Sequence, residues 1–211
     1  LVTGSEGLIG KELVKHLEEL GAEVIQGDIK VSKYFDIMDY NNCLFMCKDI
    51  DYVFNLFGIK GNPKMTNERP TDFMIPMLRG DTNIIDAAQK QKVKRFLYTS
   101  SIAVENPDSD KYPAWAKQTA ETLIEAMRIQ YPKGTKYCIV RPSNVYGKED
   151  LSRDNLMVVS SLIKSAIKSR KLILDIKGVE QIRDIIHAKD VAKGMIKAME
   201  EMPKTPVNLC S

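Results

Sequence analysis

Short apolar runs alternate with amphipathic helical patterns along almost the whole chain, and that alternation admits few folds. Strand-like runs fall at Leu1-Val2-Thr3, Glu23–Gln26, Asp51–Phe57, Val93–Thr99 and Lys136–Val140. Between them lie helical stretches: Ile9, Leu13, Leu17 and Leu20 share one face before Gly21, and Thr71–Gln91 and Trp115–Gln130 follow. Leu156–Ser169 and Asp190–Met202 read as further helices, and Val207–Cys210 as a last strand. Strands separated by helices build right-handed βαβ units and a parallel sheet. The expectation is an α/β protein with a doubly wound parallel sheet, whose ligands sit beyond the carboxyl ends of the strands. Ile59 to about Pro70 reads as a Gly- and Pro-containing loop. No repeat or linker divides the 211 residues, a length that suits one domain. The first strand reads as one already under way and the last as one just begun, so a domain trimmed at both ends is expected.

Hydrophobic residues make up 44% and charged residues 28%, which argues against a disordered, collagen-like or coiled-coil chain. The formal net charge is +3, with both signs interleaved as on a solvated surface, so nucleic acid is not an expected partner. No apolar run approaches the roughly 18 residues that cross a membrane. Cys43, Cys47, Cys138 and Cys210 lack the spacing of a metal site; reduced thiols, a cytoplasmic location and no metal are expected. His16 reads as a surface residue.

The strand–turn–helix at the start carries the first chemistry. Gly4, Gly7 and Gly10 are spaced as a tight turn that brings backbone close to a pyrophosphate, with a helix N-terminus offering free N–H groups. The loop residues Gly4, Ser5, Gly7, Leu8, Ile9 and Gly10 are therefore candidate cofactor contacts. Asp28 follows the second strand, 18 residues after Gly10. A carboxylate there hydrogen-bonds the adenosine ribose hydroxyls and repels a 2′-phosphate. NAD is preferred over NADP, with Lys30 and Lys33 as the residues that favour the latter.

These glycines and several later segments resemble the extended short-chain dehydrogenase/reductases. More narrowly, the chain resembles the NAD-dependent epimerase/dehydratase family, which modifies nucleotide sugars. The resemblance runs from Leu1 to Ser211. It implies an NAD(P)-binding Rossmann-like fold over 1–211, with segments of a substrate-binding part from about residue 143. It places Asp36 and Ile37 at the adenine, and Leu56, Phe57 and Gly58 on a cofactor-facing loop. Tyr98-Thr99-Ser100-Ser101 resembles the strand end bearing the catalytic hydroxyl, which makes Ser101 that hydroxyl, Thr99 a cofactor contact and Ser100 a substrate contact. In Arg141-Pro142-Ser143-Asn144-Val145-Tyr146-Gly147, the backbone after Pro142 would face the nicotinamide and Asn144 the substrate. Arg183, in Ile182-Arg183-Asp184, resembles the arginine that binds the substrate diphosphate, the preferred reading, with half of a surface salt bridge as its alternative; for Arg141 the alternative is a simple pair with a carboxylate. His187 reads as packing or capping, and Trp115 as lining the sugar pocket or buried against the sheet.

The resemblance also implies a tyrosinate base assisted by a lysine ammonium. Lys117 opens Lys117-Gln118-Thr119-Ala120-Glu121 as the family's lysine does. The family spacing is Tyr-x-x-x-Lys, yet Pro113 stands four residues before Lys117 and Tyr112 stands five before it. The extra residue turns a helical pair by a further ~100°. Pro113 disfavours helical geometry at Tyr112, so Tyr112 is expected just before the helix, as a shifted base. The alternative is a dinucleotide-binding module with altered or absent catalysis. Ile102-Ala103 after Ser101 replace the acidic pair of sugar dehydratases. Ile102 and Met157 stand where fucose-synthase-like enzymes have Cys and His, and Glu105 stands where the family has Tyr. What remains is a nucleotide-sugar epimerase, dehydrogenase or reductase. The resemblance implies a homodimer built on Thr71–Gln91 and Trp115–Gln130.

Overall fold

The structure, a computed structural model, describes residues 1–59, 61, 63–107, 111–148, 158–169 and 182–211. Six parallel strands form the main sheet: β1 (Val2–Thr3), β2 (Gln26–Gly27), β3 (Tyr52–Asn55), β4 (Arg95–Thr99), β5 (Lys136–Pro142) and β8 (Val207–Leu209), in the order β2-β1-β3-β4-β5-β8. A separate parallel pair joins β6 (Asn144–Tyr146) to β7 (Ile185–His187). The helices are α1 (Leu8–Glu19), α2 (Tyr40–Cys47), α3 (Pro63–Glu68), α4 (Thr71–Lys90), α5 (Lys111–Gln130), α6 (Val158–Ser169) and α7 (Ala188–Glu201).

The period of two along the strands sorts the core into two layers. Phe96, Tyr98, Tyr137 and Ile139 point to one face, where Cys43, Met46, Ile84, Ile85 and Ile124 of α2, α4 and α5 meet them. Leu97, Cys138 and Val140 point to the other, against Leu13 and Val14 of α1 and Val191 and Met195 of α7. Helices on both faces make the sheet doubly wound, as expected. Strand order reverses at β1, which has β2 on one side and β3 on the other. The loops after β1 and β3 therefore open a crevice, the place where such sheets hold ligands.

Several local expectations need correction. The stretch after Ile59 is not all loop, because α3 forms there; Pro63 opens it at the position where a missing N–H costs nothing. Helix α2 carried too weak an apolar stripe to be read, yet Cys43, Met46 and Cys47 bury one side of it and Asp39 caps it through Asn41 N–H. Helix α5 begins at Lys111, not near Trp115, so Tyr112 lies inside it rather than before it. Pro113 is tolerated because N–H groups in a first turn have no partner within the helix. Of the expected face of α1, Leu13 is buried and Ile9 and Leu17 pack partly buried against the core with Leu8 and Val14, but Leu20 sits at the carboxyl end and is 68% exposed. Leu156 and Met157 lie outside the described residues.

Candidate functional site

The turn after β1 is built as a phosphate cradle. Gly4 has φ +66°, and a Cβ there would stand 3.0 Å from the Leu56 carbonyl oxygen. A Cβ on Gly10 would lie 2.3 Å from the Gly4 carbonyl oxygen, so a side chain there would push the turn off the helix. Gly7 precedes α1 in extended conformation and provides no side-chain cap, and the helix has no acidic residue in its first turn. Its positive end, starting at Leu8 and Ile9, is thus left to an anion. Ser5 is buried, and its hydroxyl has no partner among the described residues.

Asp28 closes the other side of this cradle. Its carboxylate accepts the Glu6 N–H at 3.2 Å and the Lys30 N–H at 3.0 Å. Asp36 accepts the Met38 N–H at 2.9 Å, while Ile37 is buried, its carbonyl taken by Asn83 Nδ2 at 2.9 Å. Gly80 makes room for this edge: a Cβ there would meet Ile37, Met38 and Phe57 at under 3 Å.

Lys117 is not an exposed helix lysine. It is 7% exposed on the buried face of α5 with Ala114, Ala120, Glu121 and Ile124. Its ammonium donates to the Phe57 carbonyl at 2.9 Å and lies 3.5 Å from Asp81 Oδ2 and 4.7 Å from the Tyr98 ring centroid. A Cβ at Gly58 would stand 4.0 Å from Nζ, so the loop after β3 and the start of α5 meet here. Thr99 and Ser100 end β4 with buried hydroxyls that have no partner among the described residues. Ser101 caps the following 3-10 turn, its Oγ accepting the Ala103 N–H at 3.2 Å, which leaves its own proton free to donate.

Tyr112 is half-buried in the first turn of α5. Five helical residues of ~100° each set it ~140° around the axis from Lys117. Tyr98 is the tyrosine whose ring faces the ammonium, but it is no base. It is fully buried, its hydroxyl donates to Asp81 Oδ2 at 2.7 Å, and burial followed by the Asp81 charge pushes its pKa well up.

Asp81 is the site residue that the letters did not bring forward. It lies on the buried stripe of α4 with Met77, Gly80, Ile84 and Ile85, and a carboxylate on such a stripe is the signal that finds it. Arg141 is a structural ion pair. Its guanidinium forks onto Glu121, Nε–Oε1 3.0 Å and Nη2–Oε2 2.6 Å, with Nη1 on Glu105 at 3.2 Å. The fork ties β5 to α5 one turn beyond Lys117.

Beyond buried Pro142, the segment turns to the small sheet. Asn144 donates through Nδ2 to the Asp184 carbonyl at 2.9 Å. Its neighbour Arg183 is exposed. His187 caps α7, its Nδ1 accepting the Lys189 N–H, and stacks edge-on against Tyr146. Trp115 is 53% exposed, so it is not buried against the sheet. The four cysteines are free, and no group of three or more metal-ligating side chains occurs among the described residues. No described helix is long and apolar enough to cross a membrane.

The glycine turn, the uncapped start of α1 and the Ser5 hydroxyl follow β1, the Thr99 and Ser100 hydroxyls lie at the end of β4, and none of the three hydroxyls has a partner among the described residues; this polar set at the carboxyl ends of parallel strands fits a dinucleotide. The fold and crevice define a Rossmann-like nucleotide-binding domain. The chain belongs to the NAD-dependent epimerase/dehydratase family, whose model matches residues 1–210, and so to a family of NAD(P)-dependent enzymes. It is 23% identical over 233 residues to GDP-L-colitose synthase of Yersinia pseudotuberculosis, covering 99% of this chain and 74% of that protein. The UDP-glucose 4-epimerase of Thermotoga maritima superimposes with a TM-score of 0.85 at 24% identity, over 100% of this chain and 76% of that one. A GDP-L-fucose synthetase from Naegleria fowleri, solved with NADP, gives 0.82 at 20% identity, over 100% and 75%. The chain spans about two fifths of the longer curated relatives it also matches.

Proposed function

We propose that the protein is an NAD-dependent nucleotide-sugar epimerase or dehydrogenase/reductase that oxidises and reduces one sugar carbon. The observation that carries this is the buried Lys117 ammonium held at 2.9 Å by the Phe57 carbonyl just past β3, on a sheet whose next strand, β4, ends in Thr99 and Ser100 hydroxyls with no partner among the described residues. A bound nicotinamide dinucleotide supplies the hydride acceptor and donor. Gly4, Ser5, Gly7 and the first turn of α1 hold its pyrophosphate. Asp28 holds the adenosine ribose, and its carboxylate, already fixed by two backbone N–H groups, favours NAD over NADP. Asp36 and Ile37 border the adenine; Leu56, Phe57, Gly58 and Pro142 line the nicotinamide side.

Lys117 holds the nicotinamide ribose and supplies positive charge. Ser101 donates its hydroxyl proton to the reacting sugar oxygen. Tyr112 is assigned as the base that takes the sugar hydroxyl proton at its phenolic oxygen. Asn144 and Arg183 are assigned to the nucleotide diphosphate, for which a guanidinium fork is well shaped. Ile102 and Ala103 offer no acid–base pair for water loss. A cytoplasmic location is part of this proposal. A homodimer through α4 and α5 is proposed from Ile75 and Trp115, each 53% exposed on those helices.

The test is a nucleotide-sugar panel with NAD or NADP, read by NADH absorbance and by product chromatography, with Tyr112→Phe beside the parent. Turnover that collapses in Tyr112→Phe is expected; net NADH marks a dehydrogenase, and isomer exchange without it an epimerase. Undiminished turnover removes Tyr112 from the mechanism. NAD retention without turnover across the panel overturns the enzyme in favour of a dinucleotide-binding module.

A further inference from the structure

Asp81 is 1% exposed in the middle of α4, and three donors meet its carboxylate. Asn55 Nδ2 reaches Oδ1 at 2.9 Å, the Tyr98 hydroxyl reaches Oδ2 at 2.7 Å, and Lys117 Nζ stands 3.5 Å from Oδ2. A buried carboxylate is retained only with such partners. The same Asn55 accepts the Thr3 hydroxyl proton through Oδ1, which also takes the Phe57 N–H at 3.4 Å. One charge therefore braces the ends of β1, β3 and β4 against α5.

We propose that Asp81 is a positioning residue for hydride transfer, acting through Lys117. The inference rests on the nicotinamide-enzyme reading above. An ammonium has three N–H bonds. Phe57 takes one at 2.9 Å, Asp81 attracts a second, and the third is left for the cofactor and substrate side. The Tyr98 ring closes the ammonium from one side. Asp81 also reaches the Phe57 segment through Asn55, so it fixes both the lysine and the carbonyl that holds it. Glu121, one turn along α5 from Lys117, is itself ion-paired with Arg141 at 2.6 Å. Asp81 is the carboxylate that pairs with Lys117.

Two double-variant cycles test this with Asp81→Asn, Lys117→Met and the combination. In melting of cofactor-free protein, each single variant is expected to lose stability and the double to recover part of it, because no lone buried charge remains. If Asp81→Asn alone does not fold, a folded double variant is itself the coupling. In turnover, Asp81→Asn is expected to lower kcat about tenfold or more with KM changed less than about threefold, and to cost nothing further in the Lys117→Met background.

Additive losses in melting overturn the pairing, whatever the activity. Coupled melting with kcat unchanged by Asp81→Asn overturns the positioning role. Coupled melting in a protein without any turnover upholds Asp81 as the group that sets Lys117 and sinks the enzyme reading instead.

Discussion

Replacing Gly10 with alanine is the sharpest perturbation of the cofactor cradle. The added Cβ would stand 2.3 Å from the Gly4 carbonyl oxygen, 2.7 Å from the Ser5 carbonyl oxygen and 2.8 Å from the Ser5 carbonyl carbon. All three are backbone atoms, so no rotamer change relieves the contact. Restoring ordinary van der Waals separation moves the turn by about 1 Å. Such a shift takes a phosphate hydrogen bond from about 2.9 Å to about 3.9 Å, beyond useful reach. One lost charge-assisted bond is worth about 1.5–3 kcal/mol, so the dinucleotide Kd is expected to rise about 10- to 100-fold. Overpacking also costs about 1–3 kcal/mol of stability.

Gly21→Ala separates the two effects. Gly21 has φ +82° and open space around its Cβ position. Alanine there costs about 1–2 kcal/mol through backbone strain alone and touches nothing in the crevice. Titration of NADH by fluorescence, with melting curves for both variants, is the assay. Gly10→Ala that folds and binds NADH within about threefold of the parent refutes the clash argument. Equal weakening by Gly21→Ala shows that affinity follows global stability rather than the cradle.

Three further outcomes are expected. If Asp28 holds the adenosine ribose as proposed, Asp28→Ala should raise the ratio of NADP to NAD affinity at least about tenfold in paired titrations, because a carboxylate there accepts from the ribose hydroxyls and repels a 2′-phosphate; an unchanged ratio removes Asp28 from the ribose. Glu121→Gln leaves the Arg141 guanidinium without its forked partner; because Arg141 keeps 19% side-chain exposure and its Glu105 contact, the loss should be about 1–3 kcal/mol, or about 2–10 °C in the melting midpoint. Burial pushes the Cys43, Cys47 and Cys138 thiols up to about 12, so at pH 8 only about one in 10⁴ of each is thiolate; alkylation of native protein read by mass spectrometry should mark exposed Cys210 and spare those three until denaturant is added.

What the letters made legible was whatever local chemistry dictates. Gly4 and Gly10 sit where an added Cβ would meet backbone at 3.0 and 2.3 Å, and the strand–helix alternation around them admits little besides a doubly wound sheet. Lys117 was found by its place in a letter string, yet its burial came from α5 packing against the sheet beside α4, which no local pattern states. Tyr112 shows the limit in the other direction. Pro113 disfavours a helical residue before it, but near a helix start the lost N–H costs nothing, and the helix begins at Lys111 anyway. Asp81 was hidden because an acidic residue in a long amphipathic helix is ordinarily solvated. Its phase told otherwise: it falls among Met77, Gly80, Ile84 and Ile85, while Lys117 and Glu121 fall on the buried face of α5 in the same way. A helix that buries a charge on its apolar stripe must find the opposite charge on a neighbour. Asp81 meets Lys117 and Glu121 meets Arg141, and those two pairs fix how α4, α5 and β5 dock. The docking of the helices and the placement of the lysine are therefore one electrostatic problem, solved by the same four side chains.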